Sequence, residues 1–103
     1  MQLSFSAIAI VLAFAVNHAT ADSHHNLVCV NTYPDNNSAE NLQATRCACD
    51  WLKSNGKCDD CTVWQNRLCH SDAKSLDGNE FEDACVRKCP DLGATGSSIP
   101  PAA

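Results

Sequence analysis

Apolar positions are concentrated at the start of the chain. Residues 5–16 form an uncharged apolar run, which is too short for a membrane-spanning helix of about 20 residues. Ala19, Thr20 and Ala21 follow and match the small-x-small pattern that signal peptidase recognises. We therefore predict a signal peptide over residues 1–21, cleaved after Ala21 with cleavage after Ala19 as the alternative. The mature chain is expected to be secreted without inserting into a membrane.

Two stretches of the mature chain have the composition of strands. Residues 27–33 are β-branched and aromatic and end at turn residues, and the weaker alternation of residues 62–69 predicts a second strand. Between them, residues 39–53 are rich in helix formers, and Asn37 and Glu40 have the spacing of a capping box. This middle stretch predicts the first helix.

A second helix is predicted over residues 79–89. Asn79 and Glu82 again have the spacing of a capping box. Acidic residues fill the first turn, basic residues occupy the last turn, and Pro90 stops the helix. This is the clearest element of the sequence.

Composition makes the cysteines the main structural clue. The chain has 103 residues, eight Cys and a net charge of −5. Few large apolar side chains follow the signal peptide, so their burial yields far less free energy than ordering the chain costs. Secretion places the thiols in an oxidising compartment, where they form disulfides. We expect four bridges, of open connectivity, among Cys29, Cys47, Cys49, Cys58, Cys61, Cys69, Cys85 and Cys89.

These features predict a small disulfide-rich α+β domain with two helices, two or three short strands and four disulfides. The domain is expected to occupy residues 22–93. The remaining residues, 94–103, are small, rich in Pro and free of Cys. They predict a flexible C-terminal tail whose removal leaves folding intact.

Cys47 and Cys49 allow two interpretations. On a helix they project in nearly opposite directions and need partners on different sides. On a strand they point to the same face and match the one-turn spacing of Cys85 and Cys89, which allows two bridges side by side. Helix propensity and capping favour the helix. Cys85 and Cys89 share one face of the second helix, so each is expected to bridge to another element.

The CDDC motif of residues 58–61 has three interpretations. A redox pair needs a readily ionised thiol, which the two intervening carboxylates oppose. A zinc site with Cys69 and His70 has suitable ligand types, but an oxidising compartment disfavours free thiolates. Structural disulfides are therefore expected.

The cysteine spacing and the surrounding residues resemble a known group of proteins. The motifs, in chain order, are ATRCACDW (44–51), NG (55–56), CDDC (58–61), Cys69, LDGNEF (76–81) and Cys85-x-x-x-Cys89. Over residues 29–93 the pattern is similar to that of small secreted cysteine-rich proteins of filamentous fungi. It looks most like the biotrophy-associated secreted proteins that plant-pathogenic fungi release around invading hyphae. Many of these proteins carry adjacent Cys in the first helix, where Ala48 intervenes here.

The resemblance implies an effector that acts at the host interface in the apoplast, and it carries no catalytic residues. The sequence also lacks a nucleophile elbow, a phosphate-binding Gly loop and a zinc-protease motif. Its net charge of −5 argues against nucleic acid and anionic membranes as partners. We therefore expect no enzyme and no cofactor, but a monomer that binds an unknown host protein or cell-wall component. An antimicrobial or toxin-like protein and an inhibitor of host hydrolases are the alternatives.

Two tryptophans are candidates for recognition, because Trp is enriched among interface hot spots. Trp51 is predicted to be a core residue of the first helix. Trp64 alternates onto the polar side of its strand with Asn66, which makes it the recognition candidate. His70 could pair with an acid such as Asp72, although a surface His beside a disulfide is the simpler interpretation.

Two local motifs suggest further sites. Cleavage after Ala21 exposes an amine, two backbone amides and an imidazole, a square-planar set of nitrogens suited to Cu(II) or Ni(II). The residues of this candidate metal site are Asp22, Ser23 and His24. The sequon at residues 36–38 makes Asn36 a candidate acceptor for an N-linked glycan.

Overall fold

The computed structural model describes residues 22–35 and 37–100. The predicted signal peptide and Asn36 lie outside these residues. The elements are, in chain order, β1 (Ser23–His24), β2 (Asn26–Thr32), β3 (Ser38–Glu40), α1 (Leu42–Ser54), β4 (Thr62–Trp64), β5 (Leu68–His70), β6 (Leu76–Asp77), α2 (Gly78–Asp83), a π-helical segment (Ala84–Lys88), a 3-10 turn (Pro90–Leu92) and β7 (Gly96–Ser98). The predicted disulfide-rich α+β class is confirmed, with more strands than the two or three expected.

Strand β2 organises the larger sheet, whose strand order is β3-β2-β5-β4 with β7 also paired to β2. All of these pairings are antiparallel. The apolar run at the centre of β2 is buried on both faces, which explains its lack of alternation. Leu27 and Cys29 belong to the main core, whereas Val28 and Val30 form a second small cluster with Leu68 on the other face.

Helix α1 covers the main core side of the sheet. Its buried residues recur at helical spacing, and they are Ala44, Thr45, Ala48, Cys49 and Leu52. The hydroxyl of Thr45 donates to the Asn41 carbonyl at 2.7 Å and accepts from the Cys29 N–H at 2.9 Å. One buried polar group thus joins the start of the helix to the middle of β2, and its own hydrogen-bonding capacity is satisfied there.

The first helix begins later than predicted. Residues 38–40 pair with the end of β2 as strand β3, so the capping box expected at Asn37 and Glu40 is wrong. The cap is Asn41, whose side-chain oxygen accepts from the Ala44 N–H at 2.9 Å. Its side-chain amide also donates to the Leu92 carbonyl at 2.7 Å, a contact across the chain that local sequence does not reveal.

The second helix begins at Gly78, and its cap is Asp77 instead of the predicted Asn79. The Asp77 carboxylate accepts from the N–H groups of Asn79 and Glu80 at 2.8 and 3.1 Å. Asp and Asn are both good N-caps, and β6 ends at Asp77, which fixes the earlier start. The last turns widen into the π-helical segment, whose Cys85 is fully buried.

The predicted single strand over residues 62–69 is instead the hairpin β4–β5. Its turn closes with the Arg67 N–H donating to the Trp64 carbonyl at 3.0 Å. Gln65 and Asn66 both have positive φ, at 56° and 53°, as the central residues of a type I′ turn do. Gln at the first position of the turn is not one of the residues that usually mark such a turn. The alternating pattern therefore predicts one continuous strand where the hairpin turn lies.

Part of the predicted flexible tail is integrated into the sheet. Residues 96–98 form β7, which pairs with Val28 to Val30 of β2. Just before it, the Thr95 N–H donates to the Val30 carbonyl at 2.8 Å, and the Thr95 hydroxyl accepts from the Thr32 N–H at 2.8 Å. Small residues with no apolar side chain to bury predict a tail, but backbone pairing needs no such side chain.

All eight cysteines form disulfides, and the pairs are Cys29–Cys85, Cys47–Cys89, Cys49–Cys69 and Cys58–Cys61. The helical interpretation of Cys47 and Cys49 is confirmed, because the two residues lie on α1 and bridge to different elements. Cys85 and Cys89 also bridge to separate elements, as their shared helix face predicted.

We predict that the long and short bridges differ strongly in their contribution to stability. Cys29–Cys85 spans 56 residues and Cys58–Cys61 spans 3, so the chain-entropy argument assigns them roughly 4 and roughly 1.5 kcal/mol. The double variant Cys29→Ala/Cys85→Ala should therefore unfold at markedly lower urea concentration than Cys58→Ala/Cys61→Ala. All four residues are buried, so the short pair is a matched control. Equal urea midpoints would contradict the prediction.

Two truncations at the C-terminus distinguish the contribution of strand β7 to stability from that of the residues beyond it. Removal of residues 94–103 deletes the β7 pairing and the Thr95 hydrogen bonds. A hydrogen bond contributes about 1 kcal/mol net, so we expect a loss of at least roughly 2–3 kcal/mol in thermal or urea unfolding. Removal of residues 101–103 is the control and should leave stability unchanged. A chain ending at Gly93 that is as stable as the control would show that β7 contributes nothing.

Candidate recognition surface

Trp64 is one of the large apolar side chains that the fold leaves at the surface, with 45% of it exposed. Its indole stacks on the imidazole of His70, with ring centroids 4.1 Å apart and planes 20° apart. The hairpin register explains this contact, because Thr62 pairs with His70 and Trp64 with Leu68. Trp64 and His70 are therefore diagonal neighbours on one face.

His70 is fixed by a hydrogen bond at each ring nitrogen. Its Nδ1 lies 2.6 Å from the side-chain oxygen of Asn26, and its Nε2 lies 2.6 Å from a carboxylate oxygen of Asp72. Both ring nitrogens are therefore engaged, and the imidazole is oriented under Trp64 from two sides. The pairing of His70 with Asp72 considered from the sequence is present.

A second imidazole extends the same row of rings. His25 lies with its centroid 6.5 Å from that of His70 and its plane 22° away. Its Nδ1 is 2.9 Å from the Ser71 carbonyl, and its own carbonyl accepts from the Ser71 N–H at 2.8 Å. We name the set formed by His25, Trp64, His70 and Asp72 the Trp–His surface.

The loop that carries Asp72 is held from below by Asp60. The Asp60 carboxylate accepts from the Ser71 hydroxyl at 2.6 Å and from the Ala73 N–H at 2.8 Å. These two hydrogen bonds, the Ser71 bond first, hold the pKa of Asp60 below its ordinary value of 3.8. Asp60 thus ties the CDDC loop to the segment that follows β5.

The sequence predicted Trp64 as a recognition residue and considered the pairing of His70 with Asp72, but it gave no indication of Asn26, His25 or Asp60 in this surface. Asn26 and His25 are far from His70 in the chain, and the contact of Asp60 with Ser71 forms only when the fold brings their loops together. Of these residues, Asp60 was the one that the sequence had marked, because it belongs to the CDDC motif. The remaining contacts arise from the antiparallel pairing of β2 with β5.

Trp51 lies beside a different feature, a shallow groove of about 360 Å³. The side chain is half-buried against the core, so the core prediction for Trp51 holds in part. The Lys88 ammonium lies 5.4 Å from the centroid of its ring, and Lys57 pairs with Glu80 at 3.4 Å. The groove therefore carries charges of both signs around one partly covered indole.

Three sulfur atoms, from Cys49, Cys61 and Cys69, lie within 4.8 Å of one another. Their proximity places two disulfides side by side in the core, because Cys49 is bonded to Cys69 and Cys61 to Cys58. A zinc site with Cys69 would need a free thiolate there, and this sulfur is bonded to another sulfur. The structural interpretation of the CDDC motif agrees with this pairing.

The remaining candidate residues are those of the predicted metal site and of the predicted glycan acceptor. Asp22 and Ser23 are exposed at the start of the described chain, and His24 is half-buried in β1. The Asp22 carbonyl accepts from the Gly78 N–H at 3.2 Å. Asn36, the candidate glycan acceptor, is outside the described residues.

Comparison with known sequences places the chain in a family. Residues 22–97 match the sequence model of the family described as Biotrophy-associated secreted protein 4. The chain belongs to this family. A curated relative from Pyricularia oryzae that bears the same description is 92% identical over 102 residues, which is 99% of this chain and 100% of the relative. No solved structure matches the chain.

Membership of the biotrophy-associated secreted protein 4 family confirms the resemblance drawn from the cysteine motifs. It supports a secreted, extracellular, cysteine-rich effector of a plant pathogen. The family is described by secretion and association with biotrophy, and not by an enzymatic activity. Among the described residues, no helix is both long and apolar enough to cross a membrane.

The hydrogen bond from Ser71 gives a testable pH dependence. In Ser71→Ala, the pKa of Asp60 should rise toward 3.8, which a carboxyl NMR titration measures. The ionised, hydrogen-bonded Asp60 stabilises the fold above pH 3.8, and that contribution is lost as the pH falls through its lowered folded-state pKa. The variant should therefore lose less stability on acidification through this range.

Ser75→Ala is the matched control for this titration. Only the backbone N–H of Ser75 contacts Ser71, so the control should keep the lowered pKa of Asp60. An unchanged Asp60 titration in Ser71→Ala would contradict the assigned cause.

Proposed function

We propose that the protein is an apoplastic effector that acts at the host interface by noncovalent binding through the Trp–His surface. The partner is a host protein or a cell-wall component, and its binding modulates immunity or colonisation. The observation that carries the proposal is the half-exposed Trp64 indole stacked on a His70 ring that is itself held at both nitrogens. No catalytic group and no cofactor takes part.

The order of the surface supports a binding role. An exposed Trp that rotates freely loses conformational freedom when a partner covers it, whereas Trp64 is already held against His70. Trp is also enriched among residues that dominate interface energies. A pre-ordered indole beside the hydrogen-bonded His70 and Asp72 therefore offers both apolar contact and a polar rim.

The polar groups beside Trp64 allow the surface to discriminate between partners. The Asp72 side chain is 94% exposed although its carboxylate contacts His70, so it has accepting capacity left for a partner. His25 is exposed as well. A partner that covers Trp64 therefore meets hydrogen-bonding groups on the adjoining ring and loop, and mismatched groups there would lower its affinity.

Trp64→Ala should weaken capture of the partner from apoplastic fluid. The oxidised mature protein is immobilised, and bound material is compared by mass spectrometry and then by titration of the captured component. We expect a loss of at least roughly 2 kcal/mol of binding free energy, as for interface hot spots, with little change in unfolding because the indole is half-exposed.

Tyr33→Ala is the matched control, since Tyr33 is 47% exposed and lies outside the Trp–His surface. It should capture the same component as the unaltered protein. Loss of capture in Tyr33→Ala with retention in Trp64→Ala would contradict the proposal. Growth inhibition of microbes in pure culture, or slowing of a host hydrolase, would instead support one of the alternative functions.

A further inference from the structure

We propose that the mature protein binds one Cu(II) ion through its amino-terminal residues Asp22, Ser23 and His24, with Ni(II) as a second ion that fits the same site. The proposal rests on signal-peptide cleavage after Ala21. It is separate from the Trp–His surface, since none of its ligand atoms belongs to that set.

The chemistry follows from the position of the histidine. With His24 third in the mature chain, the terminal amine, the amide nitrogens of Ser23 and His24, and imidazole Nδ1 form three fused chelate rings. Four nitrogens in one plane suit Cu(II) and Ni(II), whereas Zn(II) prefers a tetrahedral site. Binding releases one proton from the terminal ammonium and one from each amide, and no electron is transferred.

The structure leaves this segment accessible and weakly held. Asp22 and Ser23 are exposed, and β1 is two residues long. β1 pairs with β6, itself two residues long, in a sheet that contains no other strand among the described residues. A two-stranded pairing of this length is marginal by itself, so its opening requires little of the fold to change.

The imidazole of His24 is poorly satisfied where it lies. Its Nε2 is buried and has no hydrogen-bond partner among the described residues, which is an unfavourable state for a polar atom. Chelation of the backbone releases His24 from its pairing with Leu76, and the released ring can present Nε2 to water. The unsatisfied nitrogen therefore favours the movement that coordination needs.

Metal binding and strand pairing compete for the same backbone. In the metal-free fold Ser23 lies opposite Asp77 and His24 opposite Leu76, whereas chelation takes the amide nitrogens of both β1 residues. Copper should therefore detach β1 from β6. Asp77 also caps α2. The hydrogen-exchange protection of the amides at the start of α2 should therefore fall when β1 detaches, and none of these amides is a metal ligand.

The experiment begins with the intact mass of the secreted protein, which identifies its first residue. The protein that begins at Asp22 is titrated with CuSO₄ at neutral pH and followed by visible absorption and visible circular dichroism. We expect a d–d band that saturates at one ion per chain and persists in excess Zn(II). Hydrogen exchange at residues 76–80 should increase on saturation.

Two variants and one extended chain separate this site from adventitious histidine binding. His24→Ala should lose the band, and His25→Ala, which removes the neighbouring exposed imidazole, should keep it. One additional Gly before Asp22 moves His24 to the fourth position and should also abolish the square-planar spectrum. All three changes lie at or beside β1 and could alter the fold. The urea unfolding of each protein is therefore measured, and an unchanged midpoint shows that the fold is retained.

A mature chain that begins elsewhere, or a His24→Ala titration equal to that of the unaltered protein, would overturn the proposal. Loss of the band in His25→Ala but not in His24→Ala would do the same. Trp64→Ala should titrate normally with copper, so failure of the metal site and failure of host binding are distinguishable.

Discussion

Helix α1 is covalently anchored on two sides, and the rest of the structure depends on this constraint. Cys49 connects its inner face to Cys69 of β5, and Cys47 connects its other side to Cys89 after the π-helical segment. The mature chain has few large apolar side chains, and a core of this size is marginal for a small domain. The bridges lower the entropy of the unfolded chain, so they stabilise a fold that burial alone would not.

The same framework also positions the polar surface. The CDDC loop leaves α1 and presents Asp60 to Ser71, which follows directly after β5. That contact fixes the loop bearing Asp72, and Asp72 in turn holds the ring on which Trp64 stacks. Surface order therefore derives from the disulfide-held interior through a short series of hydrogen bonds. An effector that recognises a partner by such a surface would depend on its oxidised state without using a cysteine in the contact.

Local sequence predicted the presence of both helices and of strand β2, because their propensities and apolar spacing agree with the tertiary environment. It misplaced the helix starts, because other residues nearby are equally good caps. Asn41 is the cap of α1 and also contacts Leu92, and Asp77 is the cap of α2 because β6 ends there. It predicted Trp64 as a recognition residue from polar alternation. The His70 contact to Asn26 lay beyond local reasoning, because it spans 44 residues.

The sequence by itself determined that the cysteines belong to a secreted disulfide scaffold and that the chain resembles the biotrophy-associated proteins, and it favoured a helix on which Cys47 and Cys49 need partners on different sides. The first conclusion needs only composition and the order of residues, the second needs the spacing of the cysteine motifs, and the third needs helical geometry. The tertiary structure decided which sulfur atoms pair, that residues 96–98 add a strand to β2, and that His70 lies beneath Trp64. Each of these depends on distances between residues far apart in the chain, which are set when α1 packs on the sheet.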